Sequence, residues 1–180
     1  MIQLTVVSRV NDDKNFFFDV IFAVNQLQKI GIEGIKLLFV GEILSRAVFE
    51  SCCRLTNLFG LTQNVSFTRK SIRITDLPEN VKAGYFINFT IADFTGYSGV
   101  ESVNLGYKTI FYNIDFKLAP ITPETASVCQ DIDALVKLIY KIVINPEVTN
   151  RLLIEDNLRI KNSFFLSDKD HSFLRSMLIP

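Results

Sequence analysis

Two carboxylates and two glycines lie close together in the stretch Asp93-Phe94-Thr95-Gly96-Tyr97-Ser98-Gly99-Val100-Glu101. The apolar run Tyr85 to Ala92 precedes it and a helical pattern follows, so Asp93 falls at a strand end and Glu101 in the first turn of the next helix. A helix N-terminus presents unpaired backbone N–H groups and a partial positive charge, which together suit a phosphate. Gly96 and Gly99 let the backbone turn sharply and approach a ligand with no Cβ in between. Carboxylates accept hydrogen bonds from hydroxyls and repel phosphate, so amides would take the phosphate and the acids the sugar or ribose hydroxyls. A nucleotide sugar carries both kinds of group. The same residues also admit a purely structural reading. Ser98-Gly99-Val100-Glu101 has the spacing of a capping box, and Asp93 suits a turn.

A second group of charged residues follows the first apolar run. The polar stretch Ser8 to Asn15 contains Arg9 and Lys14, just before or within the first turn of a helix. The helix dipole disfavours a cation there by roughly 0.3 to 1 kcal/mol, and an anion bound between the two would reverse that penalty. The alternative is that Asp12 and Asp13 neutralise the pair and cap the helix while both basic side chains reach into water.

The elements that position these groups alternate in type. Strand-like runs cover Ile2 to Val7, Ile35 to Val40, Val65 to Thr68, Tyr85 to Ala92 and Thr109 to Tyr112. Helical patterns cover Phe16 to Ile30, Leu44 to Leu58, a short Glu79 to Ala83, the segment to about Leu105, and Ile132 to Val143. Pro120 and Pro123 bar regular helix between Tyr112 and Ser127. Asn145-Pro146 separates Val143 from two further helices, Glu147 to Asn162 and Asp168 to Leu178. The alternation predicts one α/β domain, Rossmann-like and three-layered, with a mainly parallel sheet. In such sheets ligands sit beyond the carboxyl ends of the strands, the edge that the loops Ser8 to Asn15, Gly41-Glu42 and Asp93 to Ser98 all leave.

Composition narrows the function classes. The 180 residues fit one domain with a substantial core. The chain holds 19 basic and 19 acidic residues, a balance that gives no electrostatic case for nucleic acid. No apolar run reaches the roughly 18 residues of a membrane span, and the N-terminus lacks a signal-peptide pattern, so export is not expected. The three cysteines, Cys52, Cys53 and Cys129, fit neither a disulfide framework nor a zinc site and are expected to be reduced cytoplasmic thiols. His171, the only histidine, lies in a polar segment where a solvated side chain is expected.

With these landmarks placed, the chain from about Thr5 to about Val143 resembles the C-terminal, donor-binding half of the GT-B glycosyltransferases, specifically the retaining "group 1" family. That half opens with a strand, a Gly-Arg pair and a lysine five positions later. Here Leu4 to Val7 is followed by Ser8-Arg9 and then Lys14-Asn15. A strand ending in glycine is matched by Leu37-Leu38-Phe39-Val40-Gly41, and a valine, any residue, phenylalanine, glycine strand near the base by Val65-Ser66-Phe67-Thr68. The family's two glutamates separated by seven residues are matched by Asp93 and Glu101, with Gly96, Ser102 and Gly106 at the accompanying small positions. Ser8 and Thr68 stand where the family has glycine, Asp93 where it has glutamate, and Lys108 where proline is common.

The resemblance implies a nucleotide-sugar donor (UDP-, GDP- or ADP-linked), transfer with retention of anomeric configuration, and no metal ion. It places Arg9 and Lys14 on the donor diphosphate, the amides near Gly96, Tyr97 and Ser98 on the distal phosphate, Asp93 on the sugar, Glu101 on the ribose hydroxyls, and Gly41 and Thr68 beside the donor. The implied acceptor is a cell-surface polysaccharide, lipopolysaccharide or glycoconjugate. A GT-B enzyme has two halves, so the chain is expected to be a fragment or one partner of a split enzyme, inactive alone, with its C-terminal helices exposing apolar surface. Membrane contact is expected only through the rest of such an enzyme, at the inner face of the cell membrane. Two other classes remain open: a non-catalytic Rossmann-like interaction domain that has lost donor binding, and half of a sugar-nucleotide epimerase.

Overall fold

A computed structural model describes residues 1–14, 16–89, 96–112 and 126–164, together with 169, 171, 172, 175 and 177. In chain order the elements are β1 (Ile2–Val7), α1 (Phe16–Lys29), β2 (Ile35–Val40), α2 (Arg46–Leu58), β3 (Val65–Phe67), a 3-10 turn (Ile74–Asp76), α3 (Glu79–Lys82), β4 (Tyr85–Phe89), α4 (Tyr97–Asn104), β5 (Lys108–Tyr112), β6 (Val128–Cys129), α5 (Ile132–Ile144) and α6 (Pro146–Phe164). The six strands form one sheet in the order β3-β2-β1-β4-β5-β6, and every pairing is parallel.

Side chains alternate across the sheet with the two-residue period of a strand. Leu4, Val6, Ile35, Leu37, Phe39, Tyr85, Ile87, Ile110 and Tyr112 pack on one face with buried residues of α1 and α5. Val40 and Phe86 face the opposite way, onto Ile74, Leu77 and Val81, and Phe111 packs with Val103 of α4 and Ile160 of α6. The sheet is therefore the middle of three layers, as the alternation predicts.

Strand order dictates where a crevice must open. The chain runs outward from β1 through β2 to β3, then crosses to β4 on the other side of β1 and continues outward through β5 to β6. The loops leaving β1 and β4 consequently diverge, and the gap beyond the carboxyl ends of these two strands is the switch point at which α/β sheets bind ligands.

Several boundaries differ from the sequence reading for local reasons. Helix α2 starts at Arg46 rather than Leu44, because Ser45 adopts an extended conformation and its hydroxyl accepts from the Val48 N–H. The two-residue strand β6, too short for any period to register, pairs with Phe111 and Tyr112. Pro146 opens α6 instead of merely ending α5, since the first helical residue needs no N–H partner. The predicted helix from Asp168 to Leu178 and the last residues of the run Tyr85 to Ala92 lie largely outside the described residues.

The C-terminal helices do carry exposed apolar side chains: Tyr140 and Ile144 on α5, and Val148, Leu152, Ile154 and Leu158 on α6. Among the described residues no helix is long and apolar enough to cross a membrane. The three cysteines are free. Burial pushes the thiols of Cys52 and Cys129 up to about 12. A thiolate-selective alkylating reagent is therefore expected to modify partly buried Cys53 of the native protein and leave the other two intact, with all three reacting in denaturant. Peptide mass mapping reads this directly; rapid native labelling of Cys52 would contradict the packing of α2.

Candidate functional site

The loop after β1 is held by backbone pairing alongside the loop after β2. Ser8 N–H donates to the Val40 carbonyl (2.9 Å) and Val10 N–H to that of Glu42 (2.8 Å), while the Val10 carbonyl accepts from Leu44 and Ser45 (2.9 and 3.0 Å). Val10 itself is buried, so Arg9 next to it is turned outward and exposed. Lys14 is half-buried, and its Nζ donates to Ser8 Oγ at 3.1 Å. Among the described residues neither Arg9 nor Lys14 is ion-paired. Asp12 and Asp13 are exposed and form no ion pair with them among the described residues, although Asp13 lines the same cleft. The two cations are thus available to an anion.

Gly41 is placed by contact with this loop. A Cβ at Gly41 would lie 2.2 Å from the Ser8 carbonyl oxygen and 2.9 Å from the Arg9 nitrogen. Its N–H donates to Thr68 Oγ1 (3.1 Å), and that hydroxyl donates to the Lys70 carbonyl (2.7 Å). Thr68 thus ties the end of β3 to the turn after β2, which packs against the basic loop.

Across the switch point, β4 leads to α4. The N-cap of α4 is Gly96, at φ 69°, a left-handed conformation that glycine adopts without strain. This overturns the capping-box reading of Ser98 and Glu101. Ser98 is already inside the first turn, and its hydroxyl donates to Asn88 Oδ1 at 2.9 Å instead of capping the Glu101 N–H. The first-turn N–H groups of α4, including those of Tyr97 and Ser98, have no partner within the helix and carry the positive end of its dipole.

These two walls enclose a cleft of about 420 Å³ lined by Val7, Ser8, Arg9, Asp13, Lys14, Phe16, Asn88, Phe89, Gly96, Tyr97 and Ser98. Its apolar side is braced by aromatic contacts of Phe16 with Phe89 and Tyr112, at ring centroid distances of 5.2 and 5.7 Å. The Tyr112 hydroxyl donates to Asp19 of α1 (2.8 Å), and burial together with this carboxylate pushes the phenol's pKa up. Of the residues singled out from sequence, Arg9, Lys14, Gly96, Tyr97 and Ser98 meet in this cleft. Gly41 and Thr68 support it from behind, and exposed Glu101 does not line it. Asp93 lies outside the described residues. Sequence reasoning missed Asn88, Phe16 and Phe89 as lining residues. Asn88 had a signal, a lone amide inside an apolar strand run.

A slightly larger hollow, about 440 Å³, opens at the opposite, amino edge of the strands between Gln3, Glu33, Asn80, Tyr85 and Lys108. There the Lys108 ammonium sits over the Tyr85 ring at 4.5 Å, and burial lowers its pKa. Size does not decide between the two, because the first-turn N–H groups of α4, which have no partner within the helix, and the side chains of Arg9 and Lys14 all belong to the cleft at the carboxyl edge. Among the described residues no cluster of three or more histidine, cysteine, aspartate or glutamate side chains is arranged to hold a metal ion.

No protein-family model matches the chain, and no curated protein sequence does. Solved structures do. The chain superposes on Anabaena HepE, crystallised in complex with UDP and glucose, with a TM-score of 0.72 at 15% identity, covering 98% of this chain and 47% of that one. Sucrose-phosphate synthase from Thermosynechococcus elongatus matches with a TM-score of 0.64 at 18% identity, over 98% and 44% of the two chains. The C-terminal domain of the group 1 glycosyl transferase LpcC from Francisella tularensis matches with a TM-score of 0.65 at 10% identity, and there the coverage is 88% and 85%. At these identities the likeness is one of fold: the chain has the fold of one half of a GT-B glycosyltransferase and spans about half the length of the full-length chains it matches.

Proposed function

We propose that this chain is the donor-binding half of a nucleotide-sugar-dependent glycosyltransferase that elongates a cell-surface polysaccharide, lipopolysaccharide or glycoconjugate. The observation that carries this reading is the meeting of Arg9 and Lys14 with the N-terminal turn of α4 across one cleft, at the switch point of a fully parallel sheet. Two cations and the first turn of a helix, whose amides have no partner within it, suit a diphosphate, whose charge is spread over several oxygens. The apolar side formed by Phe16 and Phe89 suits the less polar remainder of a donor. The complexes with UDP and glucose in HepE and the named activities of the other structural neighbours support the same ligand class.

The chemistry follows from charge. As the bond between the anomeric carbon and the distal phosphate oxygen breaks, negative charge grows on the departing nucleoside diphosphate. Arg9, Lys14 and the Tyr97 and Ser98 N–H groups neutralise it at preset positions. Asp93 keeps the role on the sugar side that the family resemblance implies, and Glu101 the role toward ribose. A second α/β half, on the same polypeptide or a partner chain, supplies the acceptor and excludes water, a reading supported by the coverage of about half of HepE.

Titrating UDP, GDP and ADP into the purified chain tests this. One of them is expected to bind, and Arg9→Ala or Lys14→Ala to weaken it about tenfold, the scale of one charge-assisted hydrogen bond. The absence of any response at millimolar nucleotide would favour the non-catalytic scaffold instead. What speaks for that scaffold is the commitment of the Thr68 hydroxyl to Gly41 and Lys70 and the absence of Glu101 from the cleft.

A further inference from the structure

Asn88 is the next-to-last residue of β4, where Tyr85, Phe86, Ile87 and Phe89 are all apolar or aromatic. A leucine would fill this place with no amide to desolvate, and burying a polar side chain is unfavourable unless its hydrogen bonds are made. The amide is nonetheless there, 6% exposed, and it lines both the donor cleft and a one-water-sized void of about 10 Å³ shared with Ser98 and Ser102. Its Oδ1 accepts from Ser98 Oγ at 2.9 Å. Its other face lies against Gly99, where a Cβ would come within 2.2 Å of Asn88 Nδ2. The side chain is thus wedged beneath two consecutive residues of the first turn of α4.

We propose that Asn88, through Ser98, is a positioning residue that sets the first-turn amides of α4 for the donor diphosphate, an inference that rests on the donor-binding reading above. Because Ser98 gives its proton inward to Asn88, the anion-facing donors of this turn are backbone N–H groups, and their height above the sheet is set by the strand through the Ser98–Asn88 hydrogen bond. Gly99 is required because the wedge occupies the space of its Cβ. An aspartate at position 88 would still accept from Ser98, yet it would put a negative charge directly under the phosphate site. Geometry and charge therefore separate in one substitution.

The test is an NMR titration of the full chain with UDP and, separately, uridine, for the wild type, Ser98→Ala, Ser98→Thr and Asn88→Asp. Ser98→Ala is expected to weaken UDP about fivefold and leave uridine unchanged, and Ser98→Thr to restore UDP to within about twofold. Asn88→Asp is expected to weaken UDP about tenfold near pH 8, where the new carboxyl is ionised beneath the phosphate site. A role in stability alone would move UDP and uridine together, or lower the melting temperature with no change in UDP affinity, and either result overturns the inference. So does a wild type that binds UDP while every variant matches it. If GDP or ADP is the diphosphate that binds, the same series is run with it and its nucleoside; a wild type that binds none of UDP, GDP and ADP removes the donor-binding reading itself, and this inference with it. Should Asn88→Asp fail to fold, the two Ser98 variants decide the matter alone.

Discussion

Replacing Gly41 with alanine is expected to destabilise the protein by about 2 to 4 kcal/mol and to remove nucleotide binding, because the added methyl has nowhere to go. The atoms it would meet are backbone, with the Ser8 carbonyl oxygen at 2.2 Å, the Ser8 carbonyl carbon at 2.6 Å and the Arg9 nitrogen at 2.9 Å. No side-chain rotamer relieves that overlap. Either β1 and β2 separate at their carboxyl ends or the basic loop swings away, and the pairing of Ser8 N–H with the Val40 carbonyl is lost in both cases. Arg9 and Lys14 leave their places with it. Chemical denaturation measures the first effect and nucleotide titration the second. A Gly41→Ala protein of wild-type stability would show that the two loops are not in contact.

The second large effect is at Asn157, far from the cleft. Strand β5 pairs with β6 only at Phe111 and Tyr112, which leaves the backbone of Thr109 without a strand neighbour on that side. The side chain of Asn157, on α6, takes the place of the missing strand. Its Oδ1 accepts from Thr109 N–H at 2.7 Å and its Nδ2 donates to the Thr109 carbonyl at 2.8 Å, with both residues buried. Asn157→Leu fits the space but orphans a buried N–H and a buried carbonyl, at about 1 to 3 kcal/mol each. A total loss of about 3 to 5 kcal/mol is a large share of the stability of an ordinary domain. Equilibrium urea unfolding checks it; a change below about 1 kcal/mol would mean that water or backbone replaces the amide.

The same two residues show how far the sequence could be read. The alternation of strand and helix, the parallel sheet and most element boundaries follow from apolar periodicity and from glycine and proline, because these patterns are local. Gly41 was visible as the glycine closing an apolar run, although what it must accommodate, the Ser8 carbonyl 33 positions earlier, is a fact of packing. Asn157 looks like an ordinary polar residue on an amphipathic helix. Its partner Thr109 lies 48 positions away, and nothing in the spacing announces the pair. Strand β6 escaped for a related reason: two residues carry no period, and only the neighbouring edge of β5 gives them a role.

In the candidate site, residue types were read better than contacts. Arg9 and Lys14 and the turn at Gly96 to Ser98 were marked by charge and by glycine before a helix, signals that also admit a purely structural use, and the structure places them along one cleft. Ser98 was not, since the capping-box spacing is a local rule and a tertiary partner, Asn88, took its hydroxyl. Glu101 illustrates the limit of spacing. One and a half turns or so into α4 it is exposed and away from the lining residues, so its role toward ribose rests on the family resemblance alone.

The most direct measurement is an amide NMR map of the chain as UDP is added. Concerted shifts at Ser8 and Arg9 on one wall and at Gly96, Tyr97 and Ser98 on the other, with Asn80 and Lys108 at the opposite edge of the sheet unmoved, are the predicted result. Shifts centred on Asn80 and Lys108, or on only one of the two walls, would contradict a diphosphate held between them.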